Sequence, residues 1–189
     1  NQAILPPTIP DDIKFPSKIK EDKILVYLPF EDLESVKRLL KGIKTHTFYV
    51  YANVEKPYQD SNVFVRPFSR KNFVKDLSEC GGLICNTGFS LVSEALHLGK
   101  KILTKPLAGQ TEQESNALAL EELGLGTVVE KLQKKDIREW LYKSPPEPMQ
   151  YPEVIKPLAE WIVKGNWHEH HSLVDDLWVK SGLKQKIIK

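Results

Sequence analysis

The sequence predicts a doubly wound α/β fold around a parallel sheet of about six strands. Three observations carry that prediction. Short apolar runs alternate with amphipathic stretches of ten or more residues, which is the signature of βαβ units with right-handed crossovers. The first run, Ile24-Leu25-Val26-Tyr27-Leu28-Pro29-Phe30, is apolar almost throughout, as a strand covered on both faces must be. Two glycine turns, around Gly88 and Gly109, each stand between a strand pattern and a helix pattern. In such Rossmann-like sheets, ligands bind beyond the carboxyl ends of the strands.

The elements follow in order from residue 24. After the first strand, 31–43 is an amphipathic helix, and 45–52 and 62–68 are further strands separated by the turn-rich Lys56-Pro57-Tyr58-Gln59-Asp60-Ser61. A helix over 69–80 leads to a short strand at Leu83–Cys85 and a helix carrying Leu91, Val92, Ala95, Leu96 and Leu98. Lys101–Leu107 is the next strand, Thr111–Leu123 its helix, and Thr127–Glu130 a short sixth strand. Helices near 134–143, 152–164 and 168–181 complete the chain, with a proline-rich break between the first two.

Composition excludes several classes. With 189 residues, 41% hydrophobic and 28% charged, the chain is an ordinary globular domain large enough for one core. Its net charge of +2 comes from 27 basic and 25 acidic residues well interspersed, which gives no pull toward nucleic acid. Cys80 and Cys85 match neither a zinc knuckle nor a disulfide framework, so a reducing, cytoplasmic compartment is expected. No run approaches the ~18 apolar residues of a membrane span. His168-Glu169-His170-His171 lacks the spacing that puts two ligands on one helix face, and no metal is expected. No G-x-G-x-x-G follows the first strand, which argues against a nicotinamide dehydrogenase.

Residues 81–126 carry the chemistry. Asn86-Thr87-Gly88-Phe89-Ser90 lies where a strand feeds a helix, so the helix's first N–H groups and the positive end of its dipole aim at whatever occupies the turn. Gly88 admits a bulky phosphate without a Cβ in the way, and Ser90 adds a hydroxyl. One turn further, Glu94 suits two neighbouring hydroxyls such as those of a ribose. In the second unit Glu112, Gln113 and Asn116 place a carboxylate and two amides near one face, a set that suits sugar hydroxyls.

Together these residues resemble the C-terminal, donor-binding half of GT-B-type glycosyltransferases, and are similar to the UDP-glycosyltransferases and the lipid II-forming GlcNAc transferase. The shared pattern reads here as Asn86, Thr87-Gly88, Glu94, Pro106 and Glu112-Gln113-Glu114-Ser115-Asn116-Ala117. The resemblance implies that Asn86, Gly88, Phe89 and Ser90 hold the donor diphosphate, Glu94 the ribose, and Glu112, Gln113 and Asn116 the transferred sugar. It implies a nucleobase site at Phe68, Ser69 and Phe73, where core packing is the competing role for both phenylalanines. Many relatives have His in place of Asn86 and Gly in place of Thr87, so a neutral amide and a stiffer turn stand here. The Pro29-Phe30-Glu31 loop lacks glycine and promises only a supporting contact; Arg66, Arg70, Lys71 and Lys105 are candidate phosphate partners, of which one or two should matter.

The chain opens on Asn1 and a proline-rich stretch, which reads as residues 1–22 of linker, ahead of a donor-binding unit at 23–165 and a terminal helix and tail at 166–189. The resemblance implies an N-terminal acceptor-binding domain outside this chain, and with it the general base and any peripheral contact with the inner face of a membrane. It also implies that Trp161, Trp167, Leu173, Leu177 and Trp178 brace that other half and are partly exposed here. The expected activity is transfer of a sugar from a nucleotide diphosphate sugar, UDP-linked by resemblance, with neither metal nor cofactor. A UDP-sugar 2-epimerase half and a non-catalytic subunit completed by a partner chain are the rival readings.

Overall fold

The computed structural model describes residues 4–165, 167 and 170–180. Along the chain run β1 (Lys20–Tyr27), α1 (Leu33–Lys41), β2 (Thr47–Tyr51), β3 (Tyr58–Asp60), β4 (Val63–Arg66), α2 (Arg70–Glu79) and β5 (Cys80–Cys85). They are followed by α3 (Phe89–His97), β6 (Lys101–Thr104), α4 (Thr111–Glu122), β7 (Thr127–Val128), α5 (Lys134–Leu141), α6 (Ile155–Lys164) and α7 (His170–Lys180). The strands form one sheet in the order β3-β4-β2-β1-β5-β6-β7, parallel except for β3.

Alternation along the strands sorts the core into two layers. In β1, Ile24 and Val26 face one side with Phe48, Val50, Val63 and Ile84, and α1 and α5 close over them through Val36, Leu40, Ile137 and Trp140. Leu25 faces the other side with Leu83, Cys85 and Ile102, beneath α2, α3 and α4 through Leu77, Ala95, Leu96 and Leu120. Burial of successive residues on opposite faces is what a sheet wound on both sides requires. The predicted fold class is therefore the observed one.

Four details differ from the sequence reading. A seventh strand, β3, sits where a loop was expected and pairs antiparallel with β4 at the sheet edge, turning back through Ser61 at φ 61°. β1 starts at Lys20, inside the stretch read as linker, and Ile13 upstream is buried in the core. β5 starts at Cys80 rather than Leu83, because Gly81 and Gly82 are extended strand; a Cβ at Gly82 would lie 2.8 Å from the Trp140 ring packed over it. At the C-terminus Trp167 is exposed, but Leu177 is buried, so its expected exposure is corrected. His168 and Glu169 of the histidine-rich tetrad, like the tail from 181, lie outside the described residues.

Order reversal places a crevice between β1 and β5: from β1 the chain builds outward through β2 and β4, then returns to β5 and builds the other way. That topological switch is where the carboxyl ends of doubly wound sheets leave room for a ligand.

Candidate functional site

The first wall of the crevice is the turn from β5 into α3. Gly88 is the N-cap residue of α3 in an ordinary extended conformation, φ −72° and ψ 145°, and no side chain caps the helix. The N–H of Gly88 donates back to the Asn86 carbonyl at 2.9 Å. The first-turn N–H groups of any α-helix lack intrahelical partners, and α3 carries no acid there to answer its dipole. Among the described residues, nothing lies within 4 Å of a Cβ built on Gly88. The glycine is thus dispensable for the turn's conformation and leaves open space above the helix tip.

The turn itself is braced from below. Thr87 is fully buried; its Oγ1 meets the Thr104 Oγ1 at 2.8 Å, and its N–H donates to the Gln113 Oε1 at 3.1 Å. The stiff threonine is accommodated because Thr104 supplies a hydroxyl beneath it. Asn86 is buried, and its Nδ2 donates to the Lys105 carbonyl at 3.0 Å, while its Oδ1 finds no hydrogen-bond partner among the described residues. One of its two amide N–H groups is therefore engaged with the chain, and Oδ1 is an open acceptor.

The second wall is the turn into α4. Gln113 is a buried bracket: its Oε1 accepts from the N–H groups of Thr87 and Leu107, each at 3.1 Å, and its Nε2 donates to the Gln110 Oε1 at 2.9 Å. Asn116 donates to the Thr87 carbonyl at 3.2 Å. Both amides expected to face a sugar thus also tie the two turns together. Glu112 is exposed beside them, and Glu114 accepts from the Gly109 N–H at 3.0 Å.

On the β4 side a pocket of about 280 Å³ is lined by Tyr27, Phe68, Ser69, Arg70, Phe73, Ser90, Leu91 and Glu94. The three residues singled out for a nucleobase therefore share one cavity with Glu94 and Ser90. Phe73 forms the fixed wall, edge-on to Tyr27 at 5.4 Å and Tyr51 at 5.0 Å, whereas Phe68 is 52% exposed. Ser69 caps α2 through the Asn72 N–H. Glu94 is 6% exposed; burial pushes its carboxyl up, against the pull of Arg70, whose NH1 and NH2 stand 3.4 Å from Oε1.

Of the four candidate phosphate partners, Arg70 lines the pocket with Ser90 and Glu94, and Lys105, just after β6, is paired with Glu31. Arg66 is held 2.6 Å from Asp76, Arg70 is shared with Asp12, and Lys71 lines an outer groove along α2. Sequence reasoning missed the support behind the pocket. Asp76, 2% exposed, gathers Lys23 at 2.8 Å, the Tyr51 hydroxyl at 2.7 Å and Arg66, locking α2 to three strands. Lys23 stood at the boundary of the stretch read as linker, and no hydrophobic pattern marks a buried ion pair. Burial also raises both thiols, to about 11 for Cys80 and about 12 for Cys85, which suits packing residues.

Comparison with known proteins gives the fold and the family. Over 80 residues the chain is 36% identical to an uncharacterized glycosyltransferase of Methanosarcina acetivorans, a match covering 40% of this chain and 18% of that protein. Its fold superposes on UGT71G1 of Medicago truncatula, solved with UDP-glucose, at a TM-score of 0.53 and 17% identity over 85% of this chain and 41% of that one. It superposes on the glycosyltransferase SnogD of Streptomyces nogalater at 0.51 and 20% identity, over 71% and 38%. The chain spans about a fifth of the first protein and less than half of the other two. At these identities the structures speak to fold, which is that of one half of a GT-B glycosyltransferase. Residues 1–145 of the 189 match the model of Glycosyl transferase family 1, and the chain belongs to that family.

Proposed function

We propose that this chain is the donor-binding part of a glycosyltransferase and takes a nucleoside diphosphate sugar, UDP-linked, with the base between Phe68 and Phe73, the ribose on Glu94, the diphosphate at the α3 tip and the sugar beside Glu112. The observation that carries the reading is the shared cavity: Phe68, Ser69 and Phe73 from one strand end, and Ser90 and Glu94 from another, line a single pocket next to an uncapped helix terminus.

The chemistry follows from that arrangement. Cleavage of the bond from sugar to diphosphate gathers negative charge on the leaving group, and fixed N–H dipoles already aimed at that charge stabilise it without reorganising. The α3 tip supplies the positive potential, so this reading requires no metal ion. One N–H of the Asn86 amide holds the Lys105 strand end, and its second N–H is the one that would reach a phosphate oxygen. Gln113 and Asn116 keep the two turns in register, and Glu112 is the group left to meet a sugar hydroxyl. A base to deprotonate the acceptor would come from the rest of the protein, so the chain by itself should bind donor without turnover.

Calorimetry of UDP, TDP, GDP and ADP against the 189-residue chain tests the proposal. UDP should bind, and UDP-sugar should compete with it. No binding by any of the four diphosphates to the folded chain would reject the donor site.

A further inference from the structure

Arg70 stands at the first residue of α2 and its guanidinium is forked between two carboxylates. Its Nε and NH2 grip Asp12 at 3.0 and 2.8 Å, and NH1 and NH2 approach the Glu94 Oε1 at 3.4 Å. The Arg70 and Asp12 side chains are each 49% exposed, whereas that of Glu94 is 8% exposed. The two acids thus share one cation unequally: the exposed one holds it closely and the buried one at a longer distance.

We infer that Arg70 is a positioning residue for the pocket, holding the Glu94 carboxylate in place as an anion, and that Asp12 competes for the same guanidinium. This rests on the donor-site reading in so far as Glu94 meets a ribose. A diol donates two hydrogen bonds, and only the ionised carboxylate offers acceptors on both oxygens. Among Phe68, Phe73 and Leu91 that charge is poorly solvated, and burial favours the neutral acid. The groups facing Glu94 are Arg70 from α2, Asp12 from the N-terminal segment and Tyr27 from the end of β1, with His97 one turn on along α3 itself. Arg70 is the one cation among the first three. Its bond to Asp12 ties the charge of Glu94 to the segment that enters the domain ahead of β1, so a shift of that segment alters the pocket.

The sign is fixed by charge. Loss of Arg70 leaves burial unopposed, and Glu94 then gives up its proton at higher pH. Loss of the Asp12 charge removes a like-charged neighbour and lowers that pH. The test is a carboxyl carbon NMR titration of the glutamate-labelled chain, with the Glu94 resonance assigned by its loss in Glu94→Gln. In Arg70→Gln the Glu94 midpoint should rise by about one pH unit; in Asp12→Asn it should fall by less; Arg70→Lys should lie near the parent. An unmoved midpoint in folded Arg70→Gln, or the same direction of shift in both variants, overturns the inference whether or not any nucleotide binds. UDP affinity between pH 5 and 9 is the second reading: Arg70→Gln should weaken binding at acid pH and recover at alkaline pH. A deficit equal at every pH would make Arg70 a direct ligand contact and reject the positioning role. Absence of UDP binding by the parent chain would reject the donor site alone, with the titration still deciding the part played by Arg70.

Discussion

The two helix tips that frame the crevice look alike in sequence, each a glycine turn after a strand, yet they are electrostatic opposites. At α3 the first turn holds no acid and no side-chain cap; at α4 Glu112 and Glu114 occupy the first turn, and Glu114 takes the Gly109 N–H. The glycines differ in purpose as well. Gly109 sits at φ +79°, a conformation that side chains resist, so it serves the backbone, whereas Gly88 has an ordinary φ and open space where a Cβ would stand. Positive potential is kept at one tip and quenched at the other. The crevice therefore has a direction, with an anion suited to α3 and a neutral polyol to α4.

Gly88→Asp should break that polarity most severely. Aspartate is a good N-cap and should hold the fold, adding a few tenths of a kcal/mol at most. A carboxylate about 4 Å from a bound phosphate would cost about 4 kcal/mol at an effective dielectric of about 20, so calorimetry should show UDP affinity falling by about a thousandfold while thermal stability is kept. Unchanged affinity would remove the phosphate from the α3 tip. Gln113→Ala should act on stability instead, because two backbone N–H groups lose their acceptor in a buried place. The cost should be about 3 kcal/mol in chemical denaturation, and Gln113→Glu, which keeps an acceptor, should recover part of it. Glu94→Gln comes next, with UDP weakened by about 1.5 to 3 kcal/mol and much less change for 2′-deoxy-UDP, which lacks one of the two hydroxyls.

The same contrast explains what could be read from the sequence. Strands buried on both faces announce themselves as apolar runs, and the residue spacing that put Ser90 and Glu94 on one helix face was correct because a helix has only one geometry. β3 was missed because Tyr58-Gln59-Asp60 is polar, short and at the sheet edge, where pairing needs no apolar pattern. The roles of Gln113 and Asn116 were only half legible: an amide that could meet a sugar could equally bracket a turn, and three-dimensional proximity to Thr87 decides which bonds form. Arg70 and Asp12 lie far apart along the chain, so their shared carboxylate arrangement had no local signature.

The smallest expected effect sharpens the comparison from the α4 side. Glu112 is exposed in the first turn of α4, while the neighbouring Gln113 is buried. Replacing Glu112 with Ala leaves the brackets between the turns intact, so UDP should bind as before if its diphosphate and ribose sit at α3 as proposed. UDP-sugar should bind about fivefold more weakly, the equivalent of about 1 kcal/mol for one exposed hydrogen bond. Removal of a carboxylate from the crevice would, by charge alone, strengthen the binding of an anionic donor. A loss confined to the sugar-bearing ligand therefore requires a contact with the sugar, whereas tighter binding of both ligands would show that Glu112 acts only as a repelling charge and that the polyol site lies elsewhere.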